Sequence, residues 1–304
     1  MKRTPLSPIA QAPLRSGRTR LSDEETEARM LHAATEIIER FGLTVSLDHI
    51  SFEDVIQRAA VSRSAAYRRW PYKEMFFNDL LKELAKAARP AAVAGFAQTV
   101  PLMRGIALDH LDSLGSAEGR GDLVRELIRR GALNDFETMF GSTEWRTYLA
   151  LHSTFLSVAD DDLRRSLQVA LADSDRDFIA RIARGWSQLA GLFGYRLRAE
   201  LDATFETVAT LASATLRGLV IMALSTPDIA SRRLQARPLG ATEAAEWSLA
   251  GLTAASIADA FLEPDPDIDW TPERLAGVRE SLEQLAFEPA APVRRATSRR
   301  PPPQ

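Results

Sequence analysis

Residues 51–73 read SFEDVIQRAAVSRSAAYRRWPYK, and the folding of this stretch decides how the rest of the chain is read. Ser51 followed three residues later by Asp54 is a capping-box-like start, which satisfies backbone N–H groups that have no partner inside the helix. Val55, Ile56 and Ala59 recur at helical spacing and predict a short helix with one apolar face. The pattern breaks at Ala60-Val61-Ser62 and restarts, because Ser62 suits the N-cap of a second helix. That helix carries Ala65, Ala66 and Trp70 on one side and Arg63, Ser64, Tyr67 and Arg68 on the other. Residues 58–73 hold five cations (Arg58, Arg63, Arg68, Arg69 and Lys73) and no carboxylate. Two short helices, a tight turn and a cationic second helix predict a helix-turn-helix that docks on DNA. The plain alternative is a helical hairpin with a solvated basic face.

The same residues carry a family resemblance. The run Val61-Ser62-Arg63-Ser64-Ala65-Ala66-Tyr67-Arg68-Arg69-Trp70-Pro71-Tyr72-Lys73-Glu74 resembles the recognition-helix segment of the tetracycline-repressor (TetR) family. The Val-Ser pair, the Tyr, the aromatic residue and the Lys-acid pair fall at that family's spacing, and the resemblance covers residues 24 to about 88. Ala60 stands where Gly is usual, Ile56 where a small Ala is usual, and the loop Gly42 to Ile50 is a few residues longer. These departures bear on interhelical packing more than on DNA contacts. The resemblance implies an all-α homodimer that binds a palindromic operator as a transcriptional regulator, with repression the expected sign. The DNA-contacting residues are then Ser51, Ser62, Arg63, Ser64, Tyr67, Arg68, Arg69, Tyr72 and Lys73. Arg63 and Ser64 are best placed for base edges, and Tyr67 and Lys73 for phosphates.

Composition agrees with a helical, globular chain. Of 304 residues, 45% are hydrophobic and 26% charged, with Ala, Leu and Arg abundant and β-branched runs rare. There are no cysteines, which excludes disulfides, thiolate metal sites and cysteine nucleophiles and fits a cytoplasmic location. The net charge of −3 is unevenly placed. Residues 1–88 hold 14 Lys and Arg against 12 Asp and Glu, a net of +2, and the remainder 24 against 29, a net of −5. A local cationic surface on a mildly acidic body suits site-specific DNA reading better than bulk coating. Lys2-Arg3 leads into proline-broken sequence, so no secretory signal is expected, and the most apolar run, Leu219 to Leu224, is too short to predict a membrane span.

Along the chain, residues 1–20 are basic and proline-broken and predict a disordered arm. Either it is a solubilising tail, or Arg18 and Arg20 follow the phosphates or enter a minor groove. Ser22-Asp23-Glu24-Glu25 opens a first helix whose stripe is Met30, Leu31, Ala34, Ile37, Ile38 and Phe41, with Gly42 as its stop. Pro71 precedes a fourth helix, Tyr72–Ala88, lined by Met75, Phe76, Leu80, Leu84 and Ala87. Residues 21–88 thus form the expected DNA-binding domain, and 89–288 a helical effector-binding and dimerisation domain, with Pro90 and Pro101 at the boundary. Helices are predicted there at 102–114, 122–140, 144–158, 161–193, 203–225, 243–262 and 272–287, with a loop at 226–242 and a disordered Pro/Arg tail at 289–304.

Little in the body suggests catalysis. Asp173, Asp175 and Asp177 imitate a calcium loop, but Phe178 and Arg184 stand where Gly and Glu are required, so a solvated acidic face is the simpler expectation. The four histidines are scattered, no nucleophile elbow, phosphate loop or dinucleotide fingerprint occurs, and neither enzyme activity nor a cofactor or metal is expected. The resemblance implies a small-molecule effector pocket, with Phe136, Phe140, Trp145, Tyr148, Phe155, Phe178 and Trp186 as candidate lining, although aromatics at helical spacing are more often a plain core. Two-fold contacts are assigned to Phe205, Val208, Leu211, Leu219 and Met222 on one helix and Leu249, Leu252, Ile257 and Phe261 on the next. The rival reading is a helical interaction or adaptor protein that acts through this body.

Overall fold

The computed structural model describes residues 21–41, 50–87, 92–155 and 158–284, and these are predominantly helical. The basic arm with Arg18 and Arg20, residues 42–49 of the longer loop, and the Pro/Arg tail lie outside the described residues. Helix α1 (Asp23–Phe41) begins on a reciprocal capping box. The Glu25 amide donates to Ser22 Oγ at 3.0 Å, and the Ser22 amide donates to the Glu25 carboxylate at 2.8 Å. Its inner face, Met30, Ala33, Ala34 and Ile38, is buried under α2 (Phe52–Arg58), α3 (Arg63–Arg69) and α4 (Lys73–Ala87). The aromatic centre of this unit is Phe52, Trp70 and Phe76, with ring centroids 5.1 Å apart for Phe52–Phe76 and for Trp70–Phe76. Met75 does not join it. Phe76, Leu80 and Leu84 set the inner face of α4 at four-residue spacing, and this turns Met75 outward, 44% exposed.

The core of this unit does not close at residue 88. Leu151 of α7 (Thr143–Phe155), together with Val158 and then Leu163, Leu167 and Leu171 of α8 (Asp161–Leu192), belongs to the same buried cluster as Leu80 and Leu84. Helix α8 is the spine of the molecule. At 32 residues it spans about 48 Å, and its N-cap Asp160 accepts the Leu163 amide at 2.7 Å. Its first turns pack on the N-terminal unit, Phe178, Ile182 and Ala183 enter a second cluster, and Leu189 and Leu192 pack against a third.

The body is completed by α5 (Ala92–Asp109), α6 (Ala117–Gly141), α9 (Phe205–Ser225), the single turn α10 (Asp228–Ser231), α11 (Leu249–Phe261) and α12 (Pro272–Gln284). Pro101 lies inside α5, not at a break between helices. Proline removes one backbone hydrogen bond, and the packing of α5 along α6 sustains the helix through it. The expected loop and the start of the expected 243–262 helix are instead an antiparallel hairpin, β2 (Arg233–Ala236) with β3 (Ala245–Ser248). Leu234 faces Trp247 across it, and the connection turns through left-handed Leu239 (φ 54°) and Gly240 (φ 68°). Short strands β1 (Tyr195–Leu197) and β4 (Leu262–Pro264) pair antiparallel beside Gly194, whose φ of 73° ends α8. A Cβ on Gly194 would lie 2.7 Å from the Trp270 ring, so this C-terminal stop requires glycine on both counts.

Candidate functional site

The connection between α2 and α3 is a helix-ending motif in full. The Val61 amide donates to Ile56 O at 3.3 Å and the Ala60 amide to Gln57 O at 3.1 Å, the pair of bonds that closes a Schellman turn. Ala60 itself is left-handed, with φ 53°. Ile56 and Val61 are both buried, which supplies the apolar contact that accompanies this turn. Ser51 and Ser62 cap the two helices through bonds from the Asp54 amide (3.3 Å) and the Ala65 amide (3.2 Å). Ala65 and Ala66 are buried, and α3 packs chiefly along α1.

This packing sends one strip of side chains outward. Ser51, Ser62, Arg63, Ser64, Tyr67, Arg68, Tyr72 and Lys73 are all exposed, and Tyr72 is 71% exposed. The ring of Tyr67 stands edge-on to Phe52 at 5.4 Å, which fixes its direction while leaving its hydroxyl outside. Arg69 differs. It is half-buried, bonds Glu27 at 2.8 Å and Asp79 at 3.2 Å, and lies 5.0 Å over the Trp70 ring, whose Nε1 also donates to Asp79 at 3.0 Å. It ties α1, α3 and α4 together and is placed as a strut, away from the exposed strip.

The cations of residues 58–73, a stretch with no carboxylate of its own, meet carboxylates from outside it. Arg63 pairs with Glu53 at 2.8 Å, Arg68 with Asp23 at 2.6 Å and Arg58 with Glu36 at 3.4 Å. Glu53 also accepts the Tyr67 hydroxyl at 2.9 Å, and that bond, with slight burial, raises the Tyr67 pKa. Lys73 has no such partner among the described residues. Glu53 is thus the acceptor that holds both Arg63 and Tyr67, a role its sequence position on α2 gave no sign of.

In the body, Phe136, Phe140, Trp145, Tyr148, Phe178 and Trp186 do come together, while Phe155 packs instead into the cluster shared with the N-terminal unit. Their centre is filled by the protein's own cation. The Arg217 guanidinium lies 5.1 Å from the Tyr148 ring, 5.3 Å from Phe178 and 5.9 Å from Trp145, and bonds Asp175 at 2.9 Å. The Tyr148 hydroxyl also donates to Asp175, and burial together with that carboxylate raises the Tyr148 pKa. Burial lowers that of His152, whose Nε2 is 3.7 Å from Asp175. Asp173 and Asp177 are exposed, as expected of a solvated acidic face, while the half-buried Asp175 turns inward to anchor these groups. The space left beside these rings is about 90 Å³, below the 300–1,000 Å³ usual for a small-molecule site.

A larger cavity of about 740 Å³ lies next to it, between α5, α6, α8, α9, α11 and α12, with Trp186 on the shared wall. Its lining is mostly apolar, with Arg181, Arg184 and Gln188 from α8 and Ser281 and Gln284 from α12 among the polar residues, and Asp135 is its one carboxylate among the described residues. The carboxylate accepts the Thr99 hydroxyl at 2.7 Å, and Asn134 donates to the same hydroxyl at 2.8 Å. Asp135 keeps partial exposure and lines both this cavity and the smaller one. Burial raises its pKa to about 6, with the Thr99 bond opposing. Sequence reading passed over it, although a signal existed: Leu127, Gly131, Asp135 and Met139 form one four-residue row on an otherwise apolar face of α6.

The residues assigned to two-fold contacts divide. Leu211 and Met222 are exposed on α9, together with Ile221 and Leu224, at 42–55%. Val208 is buried in the monomer, Ile257 lines the cavity, and Phe205, Leu219, Leu249, Leu252 and Phe261 are half-buried within the chain. The cause is that α11 sits between α6 and α9, so its apolar sides are already covered. By length and composition α9 is the one described helix that could cross a membrane, yet it carries Arg217 into the aromatic cluster. Among the described residues no cluster of His, Asp and Glu could hold a metal ion. No protein-family model matches the chain, and no curated protein matches it either.

Proposed function

We propose that the chain is a DNA-binding transcriptional regulator, a repressor in the simplest form, that grips a palindromic operator as a homodimer and responds to a small molecule in its helical body. The observation that carries this reading is the exposed strip on α3 and the start of α4: a short helix, packed along α1 and tied to Phe52 and Glu53 of α2, that leaves Arg63, Ser64, Tyr67, Arg68, Tyr72 and Lys73 exposed. Its length and exposure suit entry into a major groove, with Arg63 and Ser64 at base edges and Tyr67, Arg68, Tyr72 and Lys73 on phosphates. Arg69 acts as a strut. The resemblance of residues 61–74 to the TetR recognition segment points the same way. The spine α8 touches both the N-terminal unit and the cavity wall, so a ligand there has a physical route to the separation of two reading heads.

Selection of bound sites from random DNA tests the proposal. The expected product is a palindrome whose half-sites lie about one helical turn apart, or a multiple of it, bound with a steep salt dependence. Failure to enrich any sequence, with weak binding equal on all DNA, would leave the chain an interaction protein, the reading that the apolar face of α9 favours.

A further inference from the structure

We infer that the 740 Å³ cavity of the body is a binding site for an apolar organic cation, an alkyl or aryl amine, whose ammonium group pairs with Asp135. Three features of the site lead there. The walls supplied by Met103, Leu127, Ile182, Trp186, Val208 and Ile257 offer hydrocarbon and an aromatic face, which suit the non-polar part of such a ligand. Asp135 stands on that wall with one oxygen accepting from Thr99, while no described residue donates to the other. No described cation is within ion-pair distance of it. Thr99 faces it from α5, Arg181 and Arg184 line the cavity from α8 without pairing with it, Arg217 beside the smaller cavity pairs with Asp175, and α12 brings Ser281 and Gln284. A carboxylate in a low-dielectric wall is normally paired or bound to a cation, and here the Thr99 hydroxyl offsets only part of the resistance that burial sets against ionisation. An ammonium group placed on the free oxygen gives that compensation and a charge-assisted hydrogen bond. The volume accepts a ligand of drug size, and the small aromatic space already holding Arg217 does not. That the ligand is an effector rests on the DNA-binding proposal; that it binds does not.

The test therefore reads binding to the full chain without DNA, by calorimetry with decylamine, decanol and decanoate, each below its micelle concentration at pH 7.5. The expected result is one saturable site per chain, with decylamine held at least about tenfold more tightly than decanol or decanoate. Asp135→Asn should bring the amine close to the alcohol and leave alcohol binding unchanged, which also shows that the cavity is intact. Three outcomes would overturn the inference: no saturable binding of any probe, an amine preference that survives Asp135→Asn, or decanoate bound most tightly and lost in Arg181→Ala. The last would assign the cavity to an anion.

Discussion

Ala60 carries a cost that its neighbours impose. The Schellman turn between α2 and α3 requires a left-handed residue, and a Cβ at φ 53° is disfavoured where glycine is not. Ala60→Gly should raise stability by about 0.5–1 kcal/mol in chemical denaturation, with part of the gain offset by the entropy of glycine in the unfolded chain. A loss of stability would mean that the turn is not left-handed in solution. Glu53 is the other residue that decides something locally. It holds Arg63 and Tyr67 in the DNA-free protein, so any phosphate or base that engages them must replace it. Glu53→Gln should tighten binding to all DNA several-fold and alter the salt slope by about one ion, because a like charge facing phosphates is removed. Arg69→Ala should act oppositely: it breaks bonds to Glu27 and Asp79, lowers stability, and leaves the selected sequence unchanged. A changed site preference for Arg69→Ala would make it a reading residue after all.

Helix α6 shows how one position can set a pH dependence. The pKa of Asp135 is raised from 3.8 to about 6 by burial, so the folded chain binds this proton more tightly than the unfolded chain. Stability therefore falls as pH rises from about 4 to about 6 and is level above that. Because the carboxylate faces a cavity, the effect at pH 7 is about 1–3 kcal/mol, with the upper end an undiscounted limit. Asp135→Asn should match the native chain near pH 4 and exceed it by that amount at pH 7; parallel curves from pH 4.5 to 7.5 would contradict the assignment. Helices with strong caps and regular stripes, α1 and α8 above all, were legible in the sequence because local chemistry alone fixes them. The β2–β3 hairpin was not, since four-residue strands carry too little alternation, and its order comes from Trp247 packing in the fold. Pro101 misled for the opposite reason: tertiary packing overrides a strong local breaker. The exposed strip on α3 was legible because it lies on one continuous segment. Asp135, Arg217 and Glu53 acquire their roles only through partners distant in sequence, although Asp135 did leave a trace as a carboxylate in an apolar row.

For the whole molecule, the DNA-binding proposal demands two copies, because one helix-turn-helix spans too few base pairs to be selective. The folded chain narrows the choice of interface. Helix α11 is covered by α6 and α9, so an interface built on both α9 and α11 would have to open the monomer. Helix α9 keeps Leu211, Ile221, Met222 and Leu224 outside, on a helix whose other side is anchored by Val208, Ala209, Val220 and Ala223. Apolar residues in such a row are costly in water and suit a helix pair across a two-fold axis, where each α9 covers the other. Leu219→Arg or Leu252→Arg would test folding as much as assembly, since both side chains are half-buried within the chain. Ile221→Arg with Met222→Arg is the cleaner pair. Sedimentation should show a dimer for the native chain and a helical, cooperatively unfolding monomer for the double variant. Operator affinity should fall on the order of 100-fold, because the second half-site is no longer held at high effective concentration. The salt slope should fall to about half, since one head releases half the counterions. A double variant that remains dimeric would move the two-fold axis away from α9. One that becomes monomeric yet keeps full operator affinity would remove the need for a dimer, and with it the palindrome.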